Sequence, residues 1–286
     1  MSDKSGIFAR LHQPGNPVIL YNAWDAGSAR AVVRAGAKAV ATGSWSVAAA
    51  WGYDDGEQVP LELVLTNATR IADAVSQPVT IDFEGGYAIA PDEVAANMAR
   101  LALTGVVGCN FEDQVVGGEG LHDIDTQATR IAAARRGAGG AFFINARTDI
   151  FLHAAQDSHD AAMVDAAIAR AHAYADAGAS GFFAAGLADL ALIKRLCEAV
   201  TLPVNVIPLP GGPDARALAT AGVARLSYGP RPYRTMIRSV EEAAQAAFNW
   251  DAQAEPAAPE SAAPRPSPPP RPRRVARTRP RPALTA

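Results

Sequence analysis

Residues 79–87 read VTIDFEGGY, a short β-branched run that ends in two carboxylates and a pair of glycines. Side chains two residues apart in a strand point the same way, so Asp82 and Glu84 are predicted to share one face. Two adjacent negative charges repel each other unless a cation lies near them. Mg²⁺ accepts such oxygen ligands together with several retained waters. A solvated acidic loop after a strand is the alternative that this stretch alone leaves open.

Short apolar runs alternate with longer alanine-rich amphipathic segments on both sides of this stretch. The predicted strands cover residues 18–21, 39–42, 79–81, 105–111, 141–146, 181–184, 203–206 and 225–227. The predicted helices cover residues 26–35, 60–75, 91–103, 124–136, 158–177, 187–199, 213–220 and 231–249. Eight strand–helix repeats favour an α/β fold, a single-domain (β/α)₈ TIM-type barrel. An open doubly wound sheet is the alternative, but residues 21–25, YNAWD, do not form the glycine-rich turn usual after its first strand.

Composition restricts the class of protein. The 286 residues carry a net charge of −3 and include 49% apolar side chains, enough for one large core. No apolar run approaches the ~18 residues of a membrane span, and residues 1–13 lack the apolar stretch of a signal peptide. Cys109 and Cys197 match no zinc or disulfide spacing. We therefore expect a cytoplasmic protein that has no contact with a membrane.

The composition changes at Asp251. Residues 251–286 contain ten prolines, and seven arginines against three acidic residues. Such a segment buries too little apolar surface to offset the entropy of ordering it. We predict a barrel over residues 1–250 and a disordered Pro/Arg-rich tail over residues 251–286. A solvated tail is favoured over one that binds nucleic acid or a proline-recognising partner, and its partner, if any, is not identified by the sequence.

Polar side chains follow the carboxyl ends of the predicted strands, which in a barrel meet at one mouth. In chain order they include Tyr21, Gly43, Ser44, Trp45, Asp55, Asp82, Glu84, Glu112, Arg147 and Asn205. Asp82 is predicted to bind Mg²⁺ directly, while the other carboxylates of this set hold the waters of the ion. The metal would grip a 2-oxo or 2-hydroxy acid and act as a Lewis acid on the enolate formed when a bond to carbon breaks.

Arg147 offers a planar fork that suits a carboxylate or a developing oxyanion. A simple ion pair with Glu112 is the alternative for this arginine. The backbone N–H groups of residues 43–45 are expected to turn toward an anion, although Trp45 is equally compatible with the core or a lid. The glycine-rich loop 114–122 is typical of lids that exclude water, or of a plain surface loop. His122, at its end, is a weak signal by itself.

Five ordered blocks then resemble the isocitrate lyase and phosphoenolpyruvate mutase superfamily over residues 8–248. They are YNAWDAGSAR, TGSWSVAAAWGYDD, TIDFEGGY, NFEDQ and INARTDIF, which begin at residues 21, 42, 80, 110 and 144. The resemblance implies a (β/α)₈ barrel, Mg²⁺, enolate-type chemistry on small carboxylic acids and a homo-oligomer, commonly a tetramer. By position, Asp82 matches the direct metal ligand, and Glu112, Asp55 and Arg147 match site residues. Residues 43–45 match the loop that binds the substrate carboxylate.

Two departures from the family pattern bear on the reaction. The loop 114–122 has neither the cysteine of the lyases that act on isocitrate or methylisocitrate nor the lysine and asparagine of the mutases. His122 lies near the family's loop histidine and would take over proton transfer. Glu84 stands where an aspartate is commoner. We expect cleavage of a carbon–carbon bond by a lyase or by an oxaloacetate-type decarboxylase or hydrolase. The alternatives are a phosphonomutase or phosphonopyruvate hydrolase, and a catalytically silent binding barrel.

Overall fold

The computed structural model describes residues 3–249, which contain eight strands and ten α-helices. The strands are β1 Val18–Leu20, β2 Val40–Ala41, β3 Val79–Asp82, β4 Gly108–Glu112, β5 Phe143–Thr148, β6 Gly181–Ala184, β7 Val204–Val206 and β8 Arg225–Ser227. The helices are α1 Lys4–Leu11, α2 Ala26–Arg34, α3 Ser44–Trp51, α4 Leu61–Ala74, α5 Pro91–Ala102, α6 Ile124–Ala138, α7 Ala161–Asp176, α8 Leu190–Ala199, α9 Ala215–Thr220 and α10 Arg231–Phe248. A 3₁₀ turn covers Gln156–Ser158.

The strands form one parallel sheet in the order β1-β8-β7-β6-β5-β4-β3-β2. The two ends of this sheet meet at an isolated parallel bridge between Ala23 and Thr42. There the backbone N–H of Ala23 donates to the carbonyl of Ala41 at 2.8 Å. The sheet is therefore a nearly closed barrel, and the TIM-type fold expected from the sequence is confirmed.

Aspartates cap six of the helices, and five of these helices follow strands. The side chains of Asp25, Asp123, Asp160, Asp189 and Asp214 each accept a hydrogen bond from a backbone N–H in the first turn of α2, α6, α7, α8 and α9. A cap of this kind typically contributes about 1 kcal/mol, because it satisfies an otherwise unpaired N–H group. These helices follow strands, so part of the acidic character of the mouth of the barrel is structural.

Helix α1, absent from the predicted elements, closes the opposite end of the barrel. Its Phe8 ring meets the Phe143 ring edge-on at 5.3 Å, and the His12 ring stacks on Phe143 at 4.2 Å. Phe143 begins β5, so these contacts lie at the amino ends of the strands. Phe8 is fully buried and His12 is 5% exposed, so this helix is a plug beneath the barrel.

The buried imidazole of His12 makes stability depend on pH. Burial, and then the positive charge of Arg225, lower the pKa of His12 from 6.5 to about 3. Between these values the unfolded chain binds a proton that the folded chain does not, so the free energy of unfolding falls as the pH falls below 6.5. The loss is about 1.4 kcal/mol per pH unit, or roughly 2 kcal/mol at pH 5. We expect His12→Phe, which keeps a stacked ring, to remove that component in urea unfolding at pH 5 and pH 7. An unchanged difference between the two pH values would contradict this account.

The compact unit that holds the barrel extends to Ser239, and residues 240–249, the last ones described, fall outside it. The predicted boundary at residue 250 and the predicted disorder of residues 251–286 lie outside the described residues. None of the helices within residues 3–249 is long and apolar enough to cross a membrane.

Candidate active site at the mouth of the barrel

Three neighbouring strands bring Asp82, Glu112 and Arg147 together. Glu112 on β4 lies in register with Arg147 on β5, and Asp82 ends β3 on the other side of β4. Arg147 Nη1 lies 2.9 Å from Glu112 Oε2 and 3.9 Å from Asp82 Oδ2. The arginine side chain is 16% exposed and the carboxylates 7% and 11%. Two of the predicted carboxylates and the predicted arginine therefore share one largely buried cluster, which includes the ion pair with Glu112.

Asp149, which the sequence analysis did not single out, holds Arg147 in place. Its carboxylate is fully buried and accepts from Arg147 Nε at 2.5 Å and from Nη2 at 2.7 Å. Burial opposes the charge of Arg147, but Glu112, Asp149 and Asp82 outweigh it and hold the pKa of the guanidinium well above its usual value. The Phe183 ring lies 5.9 Å from the guanidinium carbon. The bidentate hydrogen bonds between Asp149 and Arg147 fix the orientation of the guanidinium, so that only its Nη edge faces the carboxylate cluster.

Asp82 is held from two sides. Its Oδ2 atom accepts from the backbone N–H and the hydroxyl of Ser44, both at 3.2 Å, and its Oδ1 atom accepts from Asn110 Nδ2 at 3.3 Å. Ser44 is the first residue of α3, and Gly43 is its N-cap. The predicted anion-binding turn therefore exists, but in this structure the N–H of Ser44 points at a protein carboxylate.

The Trp45 ring packs against α10. It is covered by the Arg234 guanidinium at 4.4 Å and contacts the Tyr233 ring at 6.1 Å, both at the start of α10. The sequence leaves open whether Trp45 belongs to the core or to a lid. These contacts favour a fixed packing position between α3 and α10.

Glu84 lines the same small cavity as Asp82, as predicted, but not as part of the strand. Strand β3 ends at Asp82, and Glu84 adopts a left-handed backbone with φ of 48°. Its Oε2 atom accepts from the backbone N–H groups of Gly56 at 2.9 Å and Glu57 at 2.7 Å. The Tyr87 hydroxyl donates to Oε1 at 3.2 Å, and the Tyr87 N–H donates to Glu57 Oε1 at 2.7 Å. Oε2 of Glu84 thus holds the loop after α3, while Oε1 is bonded to Tyr87.

The residues that form these hydrogen bonds include three with a strained backbone. Glu57, Glu84 and Tyr87 have φ values of 59°, 48° and 58°, and they are the only non-glycine residues of the described chain with positive φ. Such conformations cost on the order of 1 kcal/mol or more each, and they cluster at functional sites. Burial, and then the neighbouring Asp55 and Asp82, raise the pKa of Glu84 to about 7. The hydrogen bonds of Glu84 therefore hold the loop that carries Asp55 against the carboxylate cluster.

The requirement for the length of the Glu84 side chain can be tested. We expect Glu84→Asp, shorter by about 1.5 Å, to lose both hydrogen bonds to the loop and to speed hydrogen exchange at the Gly56 and Glu57 amides at least tenfold. Glu84→Gln keeps the reach and one acceptor oxygen, so it should retain most of the protection. Hydrogen exchange read by mass spectrometry on peptides spanning residues 53–59 measures this. Equal exchange in Glu84→Asp and the wild type would rule out the fastening role.

Asp55 belongs to the cluster electrostatically. Burial, and then the nearby Asp82 carboxylate, raise the pKa of Asp55, while Ser44 and Arg147 act in the opposite direction. Burial raises the pKa of Glu112 as well, although Arg147 partly offsets this. Carboxylates that destabilise one another's charge in this way create a demand for a cation. Within residues 3–249, however, no three Asp, Glu, His or Cys side chains converge closely enough to hold a metal ion by themselves.

Two predicted residues, Tyr21 and Asn205, lie apart from this cluster. Tyr21, on the outer side of β1 with Ile19, lines a groove of about 500 Å³ and contacts the Tyr228 ring at 5.2 Å. Asn205 is fully buried inside the barrel and donates to Ser227 Oγ at 3.2 Å. The structure therefore does not bring Tyr21 or Asn205 to the carboxylates.

His122 lines a separate cavity of about 180 Å³ together with Glu57, Tyr87 and Arg130. Burial, and then the charge of Arg130, lower the pKa of this histidine. Its backbone N–H donates to the Asp113 carbonyl at 2.8 Å, which anchors the end of the loop after β4. Glu84 and the loop that it binds therefore lie between His122 and Asp82.

Comparisons with known proteins agree with this architecture. Residues 8–248 match the family model described as phosphoenolpyruvate phosphomutase. A solved structure from Burkholderia cenocepacia J2315, provisionally assigned as a phosphonomutase, is 47% identical with a TM-score of 0.83, covering 86% of this chain and 98% of that one. An uncharacterized protein of Mycobacterium tuberculosis H37Rv is 34% identical over 239 residues, 84% of this chain and 88% of that protein. The 2-methylisocitrate lyase of Escherichia coli K12 is 29% identical over 255 residues, 81% of this chain and 83% of that enzyme.

Proposed function

Since the chain belongs to the phosphoenolpyruvate phosphomutase family, within the isocitrate lyase and phosphoenolpyruvate mutase superfamily, we propose that it is a magnesium-dependent enzyme. Its substrate would be a small 2-oxo or 2-hydroxy carboxylic acid, and its reaction the cleavage of a carbon–carbon bond through an enolate-type intermediate. The observation that carries this proposal is the convergence of Asp82, Glu112 and Arg147 at the mouth of the barrel, with Arg147 Nη1 2.9 Å from Glu112 and 3.9 Å from Asp82.

The donor set suits magnesium. Mg²⁺ prefers carboxylate oxygens, retains several waters and usually takes only one or two ligands from the protein. Asp82 would be the direct ligand, and Glu112 and Asp55 would accept hydrogen bonds from the waters. Glu84 would act mainly by holding the Asp55 loop, given its bonds to Gly56 and Glu57. The bound ion would supply Lewis-acid polarisation of a substrate oxygen.

Arg147 would bind the substrate and stabilise charge. Its guanidinium is fixed by Asp149, so little ordering entropy remains to be lost when an anion binds beside it. A fixed cation aimed at a developing oxyanion lowers the barrier without reorganisation at the moment of reaction. The N–H of Ser44, at the start of α3, would be a second donor if a substrate carboxylate displaced Asp82 Oδ2 from it.

The absence of a thiol restricts the choice of proton donor. The loop between β4 and α6 closes as a short turn, with the Val115 N–H donating to the Gly120 carbonyl at 3.0 Å. Residues 114–122 contain no cysteine or lysine. We propose His122 as the proton carrier only if this loop moves, because the histidine now faces the neighbouring cavity. A decarboxylase or hydrolase would need no donor of the kind that the thiol lyases use.

Turnover of a defined panel tests the proposal. Purified protein would be incubated with oxaloacetate, 2-methylisocitrate and 2,3-dimethylmalate, in Mg²⁺ or in EDTA. The concentration of each acid would be varied about fivefold above and below ~1 mM. We expect one of these acids to be cleaved in Mg²⁺ and not in EDTA, with products read by NMR. A lack of turnover of every acid, together with a lack of Mg²⁺ binding, would sink the proposal and favour a silent binding barrel.

A second candidate, chemistry at a carbon–phosphorus bond, is favoured by the provisional phosphonomutase assignment of the 47% identical structure. The loop 114–122 lacks the lysine and asparagine of the mutase pattern, which counts against it. Phosphonopyruvate followed by ³¹P NMR separates the two. Loss of the phosphonate signal to inorganic phosphate would indicate a hydrolase, and a shift to a phosphate ester would indicate a mutase.

We also propose a homo-oligomer in the cytoplasm. The outer face of β1 exposes 50% of Ile19 and 43% of Tyr21, whereas strands of a barrel are normally covered by helices on that side. Cys109 and Cys197 are both free thiols, as expected in a reducing compartment. Light scattering coupled to gel filtration would measure the mass, for which a tetramer is expected by the family resemblance.

A further inference from the structure

Arg225 is a buried cation that the proposed reaction does not use. On β8, Leu226 faces the helices and belongs to the main hydrophobic core, so Arg225 and Ser227 point into the barrel. Arg225 is 1% exposed, and no carboxylate of the described chain lies within ion-pair distance of it. Its Nη2 atom donates to Asn110 Oδ1 at 3.0 Å, and its Nε atom donates to Ser227 Oγ at 3.2 Å.

A charge buried without a counter-ion destabilises the fold, often by several kcal/mol. Burial lowers the pKa of Arg225 to about 9, although the negative charge of Asp82 acts in the opposite direction, so the group is still positively charged at neutral pH. Because Asp82 favours the charged form of this arginine, the contacts that link the two residues indicate the role of the arginine.

The contact with Asn110 shows what that role is. An arginine side chain only donates hydrogen bonds, so the end of the Asn110 amide that faces Arg225 must be its oxygen. Asn145 Nδ2 donates to the same oxygen at 2.9 Å. The amino end of Asn110 is then forced to face Asp82, where Nδ2 lies 3.3 Å from Oδ1. Asn145 alone would not fix this orientation, because its own amide can present either end.

We propose that Arg225 is a positioning residue which, acting through the amide of Asn110, fixes the orientation of the Asp82 carboxylate and thereby sets the affinity of the site for a divalent cation. The inference rests on the proposed magnesium site, although its geometric part concerns only the protein. Ser44 holds the other oxygen of Asp82, so the relay and α3 together determine both ends of the carboxylate. Without Arg225, the Asn110 amide is free to turn its oxygen toward Asp82, which repels the carboxylate.

The test compares Arg225→Met with the wild type in the absence of substrate. Titration calorimetry with Mg²⁺ alone should show an affinity roughly 10- to 100-fold lower, as for other groups that orient a metal ligand. Arg225→Lys, whose ammonium also only donates, should keep the amide orientation and lose less than the methionine variant. Arg135→Met is the matched control, because Arg135 on α6 binds the Gly178 and Phe142 carbonyls far from Asp82. Its Mg²⁺ affinity should equal that of the wild type.

Crystal structures separate failure of the relay from failure of the metal site. In Arg225→Met we expect the Asn110 amide to turn or the Asp82 carboxylate to leave its 3.3 Å contact. If the wild type binds Mg²⁺ and Arg225→Met binds it equally well, the relay is wrong while the proposed function stands. If the wild type binds no Mg²⁺, the proposed function fails, and an unmoved Asp82 in Arg225→Met overturns the relay too. Arg225→Gln, which is polar and can face Asn110 with either end, replaces the methionine variant should that protein not fold.

Discussion

Replacing Asp82 by asparagine should abolish Mg²⁺ binding and lower kcat/KM about a thousandfold. The asparagine keeps the shape of the side chain but removes the charge that attracts the cation, and one of its two terminal atoms becomes a donor facing Ser44 or Asn110. Loss of Lewis-acid stabilisation amounts to several kcal/mol, which corresponds to roughly three powers of ten in rate. Calorimetry and steady-state kinetics on the substrate identified in the panel would measure the two effects.

The control for this variant is Asp165→Asn. Asp165 is a half-exposed carboxylate on α7 that pairs with Arg195, well away from the mouth of the barrel. Its replacement removes the same charge from the chain and should leave both Mg²⁺ affinity and kcat/KM unchanged. If Asp82→Asn bound Mg²⁺ as tightly as Asp165→Asn does, Asp82 would not be the direct ligand.

Arg147→Lys should lower kcat/KM by a factor of about 100 to 1000 and also lower the free energy of unfolding. A lysine keeps the positive charge but cannot form the bidentate fork to Asp149, nor reach Glu112 at the same time. Removal of a fixed donor aimed at a developing oxyanion costs roughly 3–4 kcal/mol of transition-state stabilisation. Breaking the buried pair leaves the fully buried Asp149 carboxylate without its guanidinium partner. This lowers the free energy of unfolding by roughly 3–5 kcal/mol if the positive charge is lost entirely.

Arg170→Lys separates these two effects. Arg170 pairs with the buried Asp113 at 3.0 Å, near the Tyr174 hydroxyl, and it meets the cluster only indirectly, because the other oxygen of Asp113 accepts from the Asp149 N–H at 3.0 Å. Its replacement should lower stability by a comparable amount in urea unfolding while leaving kcat/KM within about threefold of the wild type. A thousandfold loss of activity in Arg170→Lys would mean that destabilisation, rather than loss of the fork, explains the result for Arg147.

The strands and the cluster were accessible from the sequence because both follow from simple periodicity. Each predicted strand overlaps an observed one, since β-branched runs bounded by helix caps leave few alternatives. Asp82, Glu112 and Arg147 lie at the carboxyl ends of β3, β4 and β5, and parallel strands bring those ends together. Knowledge of strand ends alone was enough to place these three side chains at one mouth.

The elements that the sequence did not reveal lack a periodic signal. Helix α3 has the sequence SWSVAAAW, which is apolar on all sides and only eight residues long, so no polar face marks it. Helix α1 is short and has little contrast between its faces. Strand β3 ends two residues before Glu84 and the backbone there turns to positive φ, so the hydrogen bonds from Gly56 and Glu57 to Glu84 could not be predicted from strand alternation.

The remaining site residues depend on contacts between distant positions. Arg225 meets Asn110 across 115 residues, and a single arginine within a short strand gives no hint of such a partner. Asp149 was accessible in principle, because it lies two residues after Arg147 and alternation places both on one face. Glu84 reaches the loop at residues 56 and 57 with a side chain one methylene longer than that of an aspartate.

A crystal structure of the protein with Mg²⁺ and oxalate would test the central claim most directly. Oxalate presents two adjacent carboxylates, as the enolate of a 2-oxo acid presents adjacent oxygens. We expect the ion on Asp82 and the oxalate between the ion and Arg147, with Glu112 and Asp55 contacting the ion through water. Density for the ion and oxalate elsewhere on the protein, with Asp82 and Arg147 unliganded at saturating concentrations, would contradict the account.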